Sequence, residues 1–230
     1  WIAGEKILCQ SEPDSNAQEL ISTSGGAGGV AVDPTRILYW TSRGRARIEK
    51  RSLPDGETEV LATPGATVSA PAGIAVDAKA GRVYWANEGG GREETGAISW
   101  AHLDGSGGGD IEIAGATIDA PRGIVLLMAP SVEAPPTISG GSIVGGKPLF
   151  CDPGSCAPDE PGGLVFRDAS LTAYRWLLEG KQVAGAMEQT LEPQEAGYYT
   201  CAVIHANAAG ETSAETAAHY VQQPGEETPR

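Results

Sequence analysis

The chain has 230 residues, enough for one large domain or two ordinary domains. Its formal net charge of −14 argues against binding to nucleic acid and against docking on or inserting into anionic membranes, since both attract basic surfaces. The 32 Gly and 16 Pro residues are typical of a protein built from short strands and turns, and no apolar run is long enough to cross a membrane.

The first half of the chain repeats one pattern three times. The pattern runs Trp, polar turn, strand, Asp- or Gly-rich turn, strand, small-residue loop, and then Gly before an apolar strand. Its three copies span Trp1–Asp33, Trp40–Asp77 and Trp85–Leu126. The markers of the repeat are therefore Trp1, Trp40, Trp85, Asp33 and Asp77.

Each unit contains four strand-length pieces. Around the middle Trp they are Gly29–Val32, Ile37–Thr41, Arg45–Leu53 and Glu57–Ala62. In the third piece, apolar residues alternate with charged ones, which predicts a strand with one solvated face; Ala46 and Ile48 face one way, and Arg45, Arg47, Glu49 and Arg51 the other. Four strands in 40 to 50 residues are typical of a propeller blade, which must pack on its neighbours to bury its faces.

The motifs "GIAVD", "GRVYWAN" and "GAISWAHLDGSG" resemble the blades of six-bladed β-propellers of the YWTD and NHL type found in bacterial extracellular proteins. The resemblance covers residues 1–127 and implies a partial propeller of three four-stranded blade units. Because "YWTS" and "YWAN" stand where the family has YWTD, the Asp of that motif is not carried over.

The two ends of the repeat region are complementary. The first unit begins at its Trp strand and lacks an innermost strand, whereas Gly123–Leu127 is an innermost strand without a sheet. Since the chain has no initiator Met and no leader, we expect a fragment of a longer propeller whose missing blades lie upstream. The alternative is a head-to-tail homodimer that completes a six-bladed ring.

The residue composition and the motifs of the sequence change after residue 127. A Pro-rich linker is predicted over 128–135, a second domain over 136–222 and a disordered tail over 223–230. Cys151, Trp176 and Cys201 follow in that order, with Tyr199 two residues before the second Cys. This pattern resembles bacterial immunoglobulin-like β-sandwiches. The resemblance implies a Cys151–Cys201 disulfide beneath Trp176 and a Tyr199 hydroxyl that turns back to the backbone.

The two other cysteines have less clear roles. Cys9 is expected to be a small buried residue on the same side of its strand as Ile7. Cys156 could be a free thiol, a competitor for Cys201 or a partner of Cys9, and the free thiol is favoured. A disulfide of the expected kind implies an oxidising compartment, so we predict an extracellular or cell-surface location.

Residues with catalytic chemistry are scattered. His102, His205 and His219 lack metal-ligand spacing, and "DGSGGGD" (104–110) lacks the Glu of a calcium loop and is read as a glycine-rich turn. The basic run "RGRARIEKR" (43–51) is read as a solvated strand. No catalytic residue, metal or cofactor is therefore expected.

Two functional hypotheses follow. The first is a non-catalytic binding or scaffold protein for a protein or carbohydrate ligand. The alternative is the scaffold portion of a secreted propeller lyase or hydrolase whose active-site blades lie outside this chain. The loops "TSGGAG", "SAPAG" and "DAPRG" contain no His and almost no acid, which favours binding.

Overall fold

A computed structural model describes residues 1–10, 16–89, 96–112, 114–115 and 117–225. These residues form an all-β protein with two short 3₁₀ turns, at Arg43–Arg45 and Pro161–Gly163, which confirms the predicted fold class. None of the described residues belongs to a helix that is long and apolar enough to span a membrane. The chain divides into two compact units: unit 1 is 1–126 with Glu160–Phe166, and unit 2 is 127–159 with 167–230.

The strands are short, as the spacing of Gly and Pro predicts. In chain order they are β1 (Ile2–Ala3), β2 (Lys6–Cys9), β3 (Gln18–Ser22), β4 (Ala27–Val32), β5 (Ile37–Ser42), β6 (Arg47–Ser52), β7 (Glu59–Leu61), β8 (Pro71–Asp77), β9 (Arg82–Asn87), β10 (Ala97–His102), β11 (Gly108–Asp110), β12 (Leu126–Leu127), β13 (Val132–Ala134), β14 (Thr137–Gly140), β15 (Leu149–Asp152), β16 (Ser155–Cys156), β17 (Val165–Phe166), β18 (Leu171–Leu178), β19 (Lys181–Gln182), β20 (Thr190–Leu191), β21 (Gly197–Asn207), β22 (Gly210–Glu215) and β23 (His219–Val221).

Unit 1 contains one sheet for each copy of the repeat. The first sheet is β1-β2-β3, the second is β4-β5-β6-β7 and the third is β8-β9-β10-β11, each with neighbouring strands in chain order. All of these pairs are antiparallel. The prediction of four strands per unit therefore holds for the second and third sheets, while the first sheet has three strands.

The two Asp markers of the repeat close the hairpin that follows each innermost strand. Asp33 accepts a hydrogen bond from the backbone N–H of Ile37 at 2.9 Å, and Asp77 accepts one from Ala80 at 3.0 Å. Both Asp residues are buried, so these bonds give their carboxylates backbone partners within the turn. A short acidic side chain is needed there to form the turn, which explains its recurrence.

The predicted third strand of the middle unit differs from the observed strand. Arg45 lies in the 3₁₀ turn, and Ala46 adopts a left-handed backbone conformation with φ of 48°, so β6 begins at Arg47. Glu49, which we expected on a solvated face, is only 4% exposed. The alternation of residues is real, but Glu49 on the charged face is buried, where its carboxylate pairs with Trp40 and Arg47.

Stacking of the sheets explains the glycines near the start of the innermost strands, Gly29 in β4 and Gly73 in β8. A Cβ on Gly29 would lie 2.7 Å from the carbonyl oxygen of Ala72, and a Cβ on Gly73 would lie 2.6 Å from that of Arg122. Real Cβ atoms do not approach backbone oxygens so closely, so only glycine fits where successive innermost strands meet. The apolar core between the second and third sheets lies beside these contacts and includes Ala31, Tyr39, Ile48, Leu61, Ile74, Val76, Val83, Trp85 and Ala101.

Unit 2 consists of two larger sheets and one short pair of strands. The larger sheets are β14-β15-β20 and the five-stranded sheet β19-β18-β21-β22, in which β23 also pairs with β21. Cys151 on β15 and Cys201 on β21 form a disulfide between these sheets. One apolar cluster surrounds the bridge and contains Leu149, Cys151, Trp176, Tyr199, Cys201, Val203 and Val221. The Asn-Ala-Ala-Gly segment at 207–210 joins β21 to β22, as predicted.

The predicted domain boundaries differ from the structure in two places. The linker predicted over 128–135 contains β13, which pairs with β16. Glu160–Phe166, which we placed inside the second domain at 136–222, belongs to unit 1. Gly162 and Gly163 allow it to approach the innermost strands closely, because their Cβ positions lie 2.9 Å from the Val32 oxygen and 2.4 Å from the Val76 oxygen. Most of the predicted tail, residues 226–230, lies outside the described residues.

The predicted final strand of the repeat region is also corrected. Of residues 123–127, only Leu126 and Leu127 form a strand, and this strand is not unpaired but lies beside β17. The backbone N–H of Leu126 donates a hydrogen bond to the oxygen of Leu164 at 2.9 Å. A segment distant in sequence supplies this partner, which neighbouring residues could not indicate.

Candidate functional site

Three segments at the start of the innermost strands of unit 1 are residues 23–28, 69–73 and 119–123, and we call them the entry loops. The first two include the first residues of β4 and β8. They lie side by side because of the glycine contacts between successive strands. Thr41 ties the first two together, accepting a hydrogen bond from the N–H of Gly29 at 2.8 Å and donating one to the oxygen of Ala72 at 2.6 Å. The backbone N–H of Gly73 reaches the oxygen of Arg122 in the third loop at 2.7 Å.

A cluster of charged side chains lies beside the entry loops and consists of Arg43, Glu88 and Arg122; we call it the arginine–glutamate cluster. Both terminal nitrogens of Arg43 donate to the two oxygens of Glu88, one at 3.0 Å. The Nε atom of Arg122 lies 3.3 Å from a Glu88 oxygen. The Glu88 side chain is 8% exposed and that of Arg122 is 78% exposed. The carboxylate is thus enclosed between two arginine side chains that are both exposed to solvent, Arg122 the more so.

This cluster is not among the sites predicted from the sequence. The entry loops contain almost no acid, and Glu88 follows β9 rather than lying in an entry loop. A signal was nevertheless present, since Arg43 and Glu88 each stand three residues after a repeat Trp, Trp40 and Trp85. Equivalent positions of stacked units are neighbours, so opposite charges at those positions predict an ion pair. For the same reason the basic run at 43–51 is not simply solvated.

The repeat Trp residues of the second and third sheets are buried, and each indole N–H has an acceptor. Trp40 donates to a Glu49 carboxylate oxygen at 2.9 Å, and Arg47 is ion-paired with the same carboxylate. Trp85 donates to the backbone oxygen of Thr67 at 2.9 Å. These contacts satisfy buried polar groups, so they are structural. Trp1, by contrast, is exposed.

A second network surrounds Asn87, which stands where the YWTD motif has Asp. Its amide nitrogen donates to the Ser99 hydroxyl at 2.8 Å, and its amide oxygen accepts from the N–H of Ser69 at 2.9 Å. Ser99 in turn donates to Asp110, which also accepts from the N–H and hydroxyl of Thr67 at 2.9 and 2.6 Å. Burial tends to raise the pKa of Asp110, but these hydrogen bonds hold the pKa below its ordinary value.

Tyr39, which precedes the second repeat Trp, is also tied to a marker residue. Burial, together with the charge of Asp33 and a hydrogen bond to it, raises the pKa of the Tyr39 hydroxyl from 10.0 to about 12. A phenol with such a high pKa stays protonated at neutral pH and is a poor general base. The pair therefore acts as a structural link within the second sheet.

The marker residues of unit 2 lie together in its core. Cys151 and Cys201 are joined by a disulfide that closes a loop with a sequence separation of 50. Trp176 is buried in the same cluster and donates its indole N–H to the oxygen of Glu188 at 2.9 Å. The Tyr199 hydroxyl donates to the oxygen of Glu195 at 2.8 Å. The disulfide and the backward turn of the Tyr hydroxyl are those that the resemblance implies.

The remaining cysteines are free. Cys9 is exposed rather than buried, because it lies at the end of β2 and lines an open groove of unit 1. Cys156 is partly buried, as a free thiol, and both burial and the charge of Asp168 raise the pKa of its thiol. A raised pKa lowers the fraction of thiolate at neutral pH and hence the nucleophilicity of Cys156.

The three histidines are far apart in the sequence and make local contacts. His205 is buried between the hydroxyl of Thr172 and the oxygen of Pro153, both at 3.2 Å. His219 lies 3.1 Å from the oxygen of Gly141, and His102 packs edge-on against Trp100. Within the described part of the chain, no group of three or more His, Cys, Asp and Glu residues could hold a metal ion.

The "DGSGGGD" segment is a turn followed by a strand. Asp104 accepts a hydrogen bond from the N–H of Ser106 at 2.9 Å, Gly105 has φ of +74°, and Gly108–Asp110 forms β11. Hydrogen bonds from Ser106 lower the pKa of Asp104. The carboxylate closes the turn, which agrees with the interpretation of this segment as a glycine-rich turn.

Comparison with known proteins adds little to these findings. No protein-family model matches the chain, and no curated protein matches it. A solved structure titled "Crystal structure of Nidogen/Laminin Complex" contains a similar chain, 15% identical, with a TM-score of 0.31 and an alignment that covers 93% of this chain and 91% of that chain. A TM-score of this size supports no argument about fold or function.

Proposed function

We propose that this chain is a non-catalytic binding scaffold of the extracellular space or cell surface. The observation that carries the proposal is the arginine–glutamate cluster beside the entry loops. Its carboxylate is held by hydrogen bonds and ion pairs to two guanidinium groups, so it positions those groups at the surface. The Arg122 side chain is 78% exposed while its Nε atom lies 3.3 Å from Glu88, so its guanidinium is accessible to a ligand.

The chemistry of Arg122 favours a ligand with a carboxylate or another planar anion. A guanidinium presents a fork of donors that matches a carboxylate in two hydrogen bonds. A protein of net charge −14 repels acidic ligands in general, so such a ligand has to be held by a local site. An acidic protein segment and an acidic carbohydrate both satisfy this requirement.

The organisation of unit 2 supports the extracellular part of the proposal. Two sheets bridged by one disulfide, with a buried Trp and a Tyr hydroxyl turned back to the backbone, are features of immunoglobulin-like modules. A structural disulfide is stable in an oxidising compartment. We therefore propose that the chain combines a partial propeller with an immunoglobulin-like module, in a secreted or surface-exposed bacterial protein.

In the alternative proposal, the chain is the scaffold portion of a secreted lyase or hydrolase. The arginine–glutamate cluster then has the same role, and the catalytic residues lie in blades outside the chain. The two proposals differ in what they predict for this chain alone. A binding protein should retain its ligand chemically unchanged. An enzyme scaffold should need further blades to bind its substrate or to convert it to product.

The test is a binding measurement with two acidic probes, a hexaglutamate peptide and an oligogalacturonate, followed by calorimetry at low and physiological salt. We expect at least one probe to bind, and we expect Arg122→Ala to weaken its binding by about tenfold or more. Arg175→Ala is the matched control, because Arg175 is exposed on unit 2. The proposal is wrong if neither probe binds, or if both variants bind like the unchanged chain.

A further inference from the structure

A pocket of about 290 Å³ lies within unit 2, between its two larger sheets. One wall is formed by the start of β14 and the two prolines before it, and the other by the stretch that joins β22 to β23. The lining residues are Pro135, Pro136, Thr137, Ile138, Glu215, Ala217, Ala218 and His219. All of them belong to unit 2, so the pocket is a feature of this unit alone.

The first wall offers an unpaired strand edge. Among the described strands, β14 pairs only with β15. The N–H of Cys151 on β15 donates to the oxygen of Gln189 at 2.9 Å, on the side away from β14. Residues opposite each other in an antiparallel pair exchange both backbone bonds or neither, so Ile138, opposite Cys151, directs its N–H and carbonyl to the open edge. The Ile138 side chain packs on the core of unit 2, so its backbone is the part that a ligand in the pocket can reach.

The second wall is a bulge. The three residues 216–218 stand opposite only two residues of β21, Thr200 and Cys201. Such an extra residue bends a strand and interrupts its regular pairing. Ala217 and Ala218 in this bulge are exposed, and their short side chains leave the space in front of them open.

The ionisable side chains of the lining present hydrogen-bond acceptors. Glu215 is exposed, and no ion pair or hydrogen bond joins its carboxylate to another described residue. The Nε2 atom of His219 lies 3.1 Å from the oxygen of Gly141, and a carbonyl oxygen only accepts, so Nε2 carries the proton and Nδ1 of the neutral ring is an acceptor. No lysine or arginine of the described chain lines the pocket. A matching ligand therefore brings N–H donors and a positive charge.

We propose that this pocket binds an extended segment of a partner protein that carries an arginine or lysine side chain. The backbone of the segment pairs with Ile138 and adds a short strand to the free edge of β14. Ile138 and Glu215 line one pocket, so the cationic side chain of the paired residue reaches the Glu215 carboxylate while its stem lies along the apolar wall. The net charge of −14 attracts a basic segment from a distance. This inference goes beyond the proposed acidic ligand of Arg122 and does not depend on it.

Calorimetric titration of the intact chain with two blocked pentapeptides tests the charge recognition. The first peptide is acetyl-Val-Thr-Arg-Thr-Val-amide, and the second has Gln in place of Arg. We expect the Arg peptide to bind about tenfold or more tightly than the Gln peptide, and Glu215→Gln should remove this preference. Glu211→Gln is the matched control, since Glu211 is also exposed on β22 but does not line the pocket, and it should keep the preference. Both variants change the net charge equally, so a general attraction would affect them alike.

The strand pairing and the pocket are tested separately. Methylation of the backbone nitrogen of the peptide arginine removes the donor to the Ile138 carbonyl and should weaken binding about tenfold. Ala218→Trp should abolish binding because the indole fills the pocket, whereas Ala208→Trp, at an exposed position of the turn between β21 and β22, should bind normally. Circular dichroism should show both Trp variants folded.

The proposal is overturned if the Arg peptide does not bind at about 1 mM, or if Glu211→Gln lowers the preference as much as Glu215→Gln does. Agmatine, which has the guanidinium without the peptide backbone, distinguishes the remaining ligand class. Agmatine that binds as tightly as the Arg peptide would assign the pocket to a small cation and would exclude the extended segment.

Discussion

Units 1 and 2 have β-rich cores that are stabilised in different ways. Unit 2 gathers its buried residues around one covalent bridge between two sheets. Unit 1 has no disulfide among its described residues, and its buried residues are distributed over a series of stacked sheets with glycine contacts and buried polar networks between them. We expect a single change to weaken all of unit 2 but only neighbouring sheets of unit 1.

The largest expected effect is removal of the disulfide. Replacing Cys151 and Cys201 by Ala releases a loop with a sequence separation of 50. By the chain-entropy estimate this costs about 4 kcal/mol of the free energy of unfolding. Hydrogen exchange should show loss of protection throughout unit 2 and none in unit 1. The Cys156→Ala variant is the control, and equal losses in both units would contradict the comparison.

The next effect concerns the glycine contacts of unit 1. Gly73→Ala would force a Cβ to within 2.6 Å of the Arg122 oxygen, so the strands must shift, at a cost of about 1–3 kcal/mol. Gly123→Ala should leave the free energy of unfolding nearly unchanged, because its Cβ would meet no atom within 4 Å. Thermal unfolding of both variants checks this difference, and equal melting temperatures would refute the stacking argument.

A similar cost is expected for the buried carboxylate of the second sheet. Glu49→Ala leaves the indole N–H of Trp40 and the guanidinium of Arg47 without their acceptor, which should cost about 1–3 kcal/mol. Glu59→Ala removes an exposed ion pair with Lys50 on the same sheet and should cost less than about 1 kcal/mol. Urea denaturation measures both, and the reverse order would be inconsistent with a structural role for Glu49.

The backward hydrogen bond of Tyr199 is worth less than the disulfide beside it. Tyr199→Phe removes the donor to Glu195 while keeping the buried ring, so we expect a loss of about 1 kcal/mol in unit 2. Tyr198→Phe changes a neighbouring ring that is exposed and should have no measurable effect. Chemical denaturation of the two variants distinguishes a specific hydrogen bond from a general effect of losing a hydroxyl.

The smallest effect is a pH dependence at the outer edge of the third sheet. Hydrogen bonds from Ser99 and Thr67 lower the pKa of Asp110 below the ordinary 3.8, despite an opposing effect of burial. The ionised form thus stabilises the folded state above pH 3.8, and this contribution is lost as the pH falls through the lower folded pKa. The difference in melting temperature between the unchanged chain and Asp110→Asn should shrink on acidification from neutral pH. A constant difference would contradict this role.

Features that depend on residues close together in the sequence were predicted correctly, and features that depend on contacts between sheets were not. The hairpin around Asp33 and the order of Cys151, Trp176, Tyr199 and Cys201 depend on spacing along the chain, and the sequence indicated both. The burial of Glu49 was not predicted, because the alternation of apolar and charged residues shows that the strand has two different faces but not which neighbouring sheet covers each face. Cys9 lies in a strand, as predicted, but it is exposed rather than buried. Its exposure depends on an open groove lined by residues that are distant in sequence, which the local pattern cannot indicate.

The sequence by itself determined the period of the repeat, the turn chemistry of its Asp markers and the all-β class, because these depend on strand length and on side chains that bond to nearby backbone. Only the tertiary structure decided that Glu88 is enclosed by Arg43 and Arg122 and that Glu160–Phe166 joins unit 1. Contacts between sheets bring together residues 34 to 45 positions apart, as with Arg122 and Arg43 on Glu88. Their energies depend on stacking geometry and glycine clearance, which spacing within one strand does not specify.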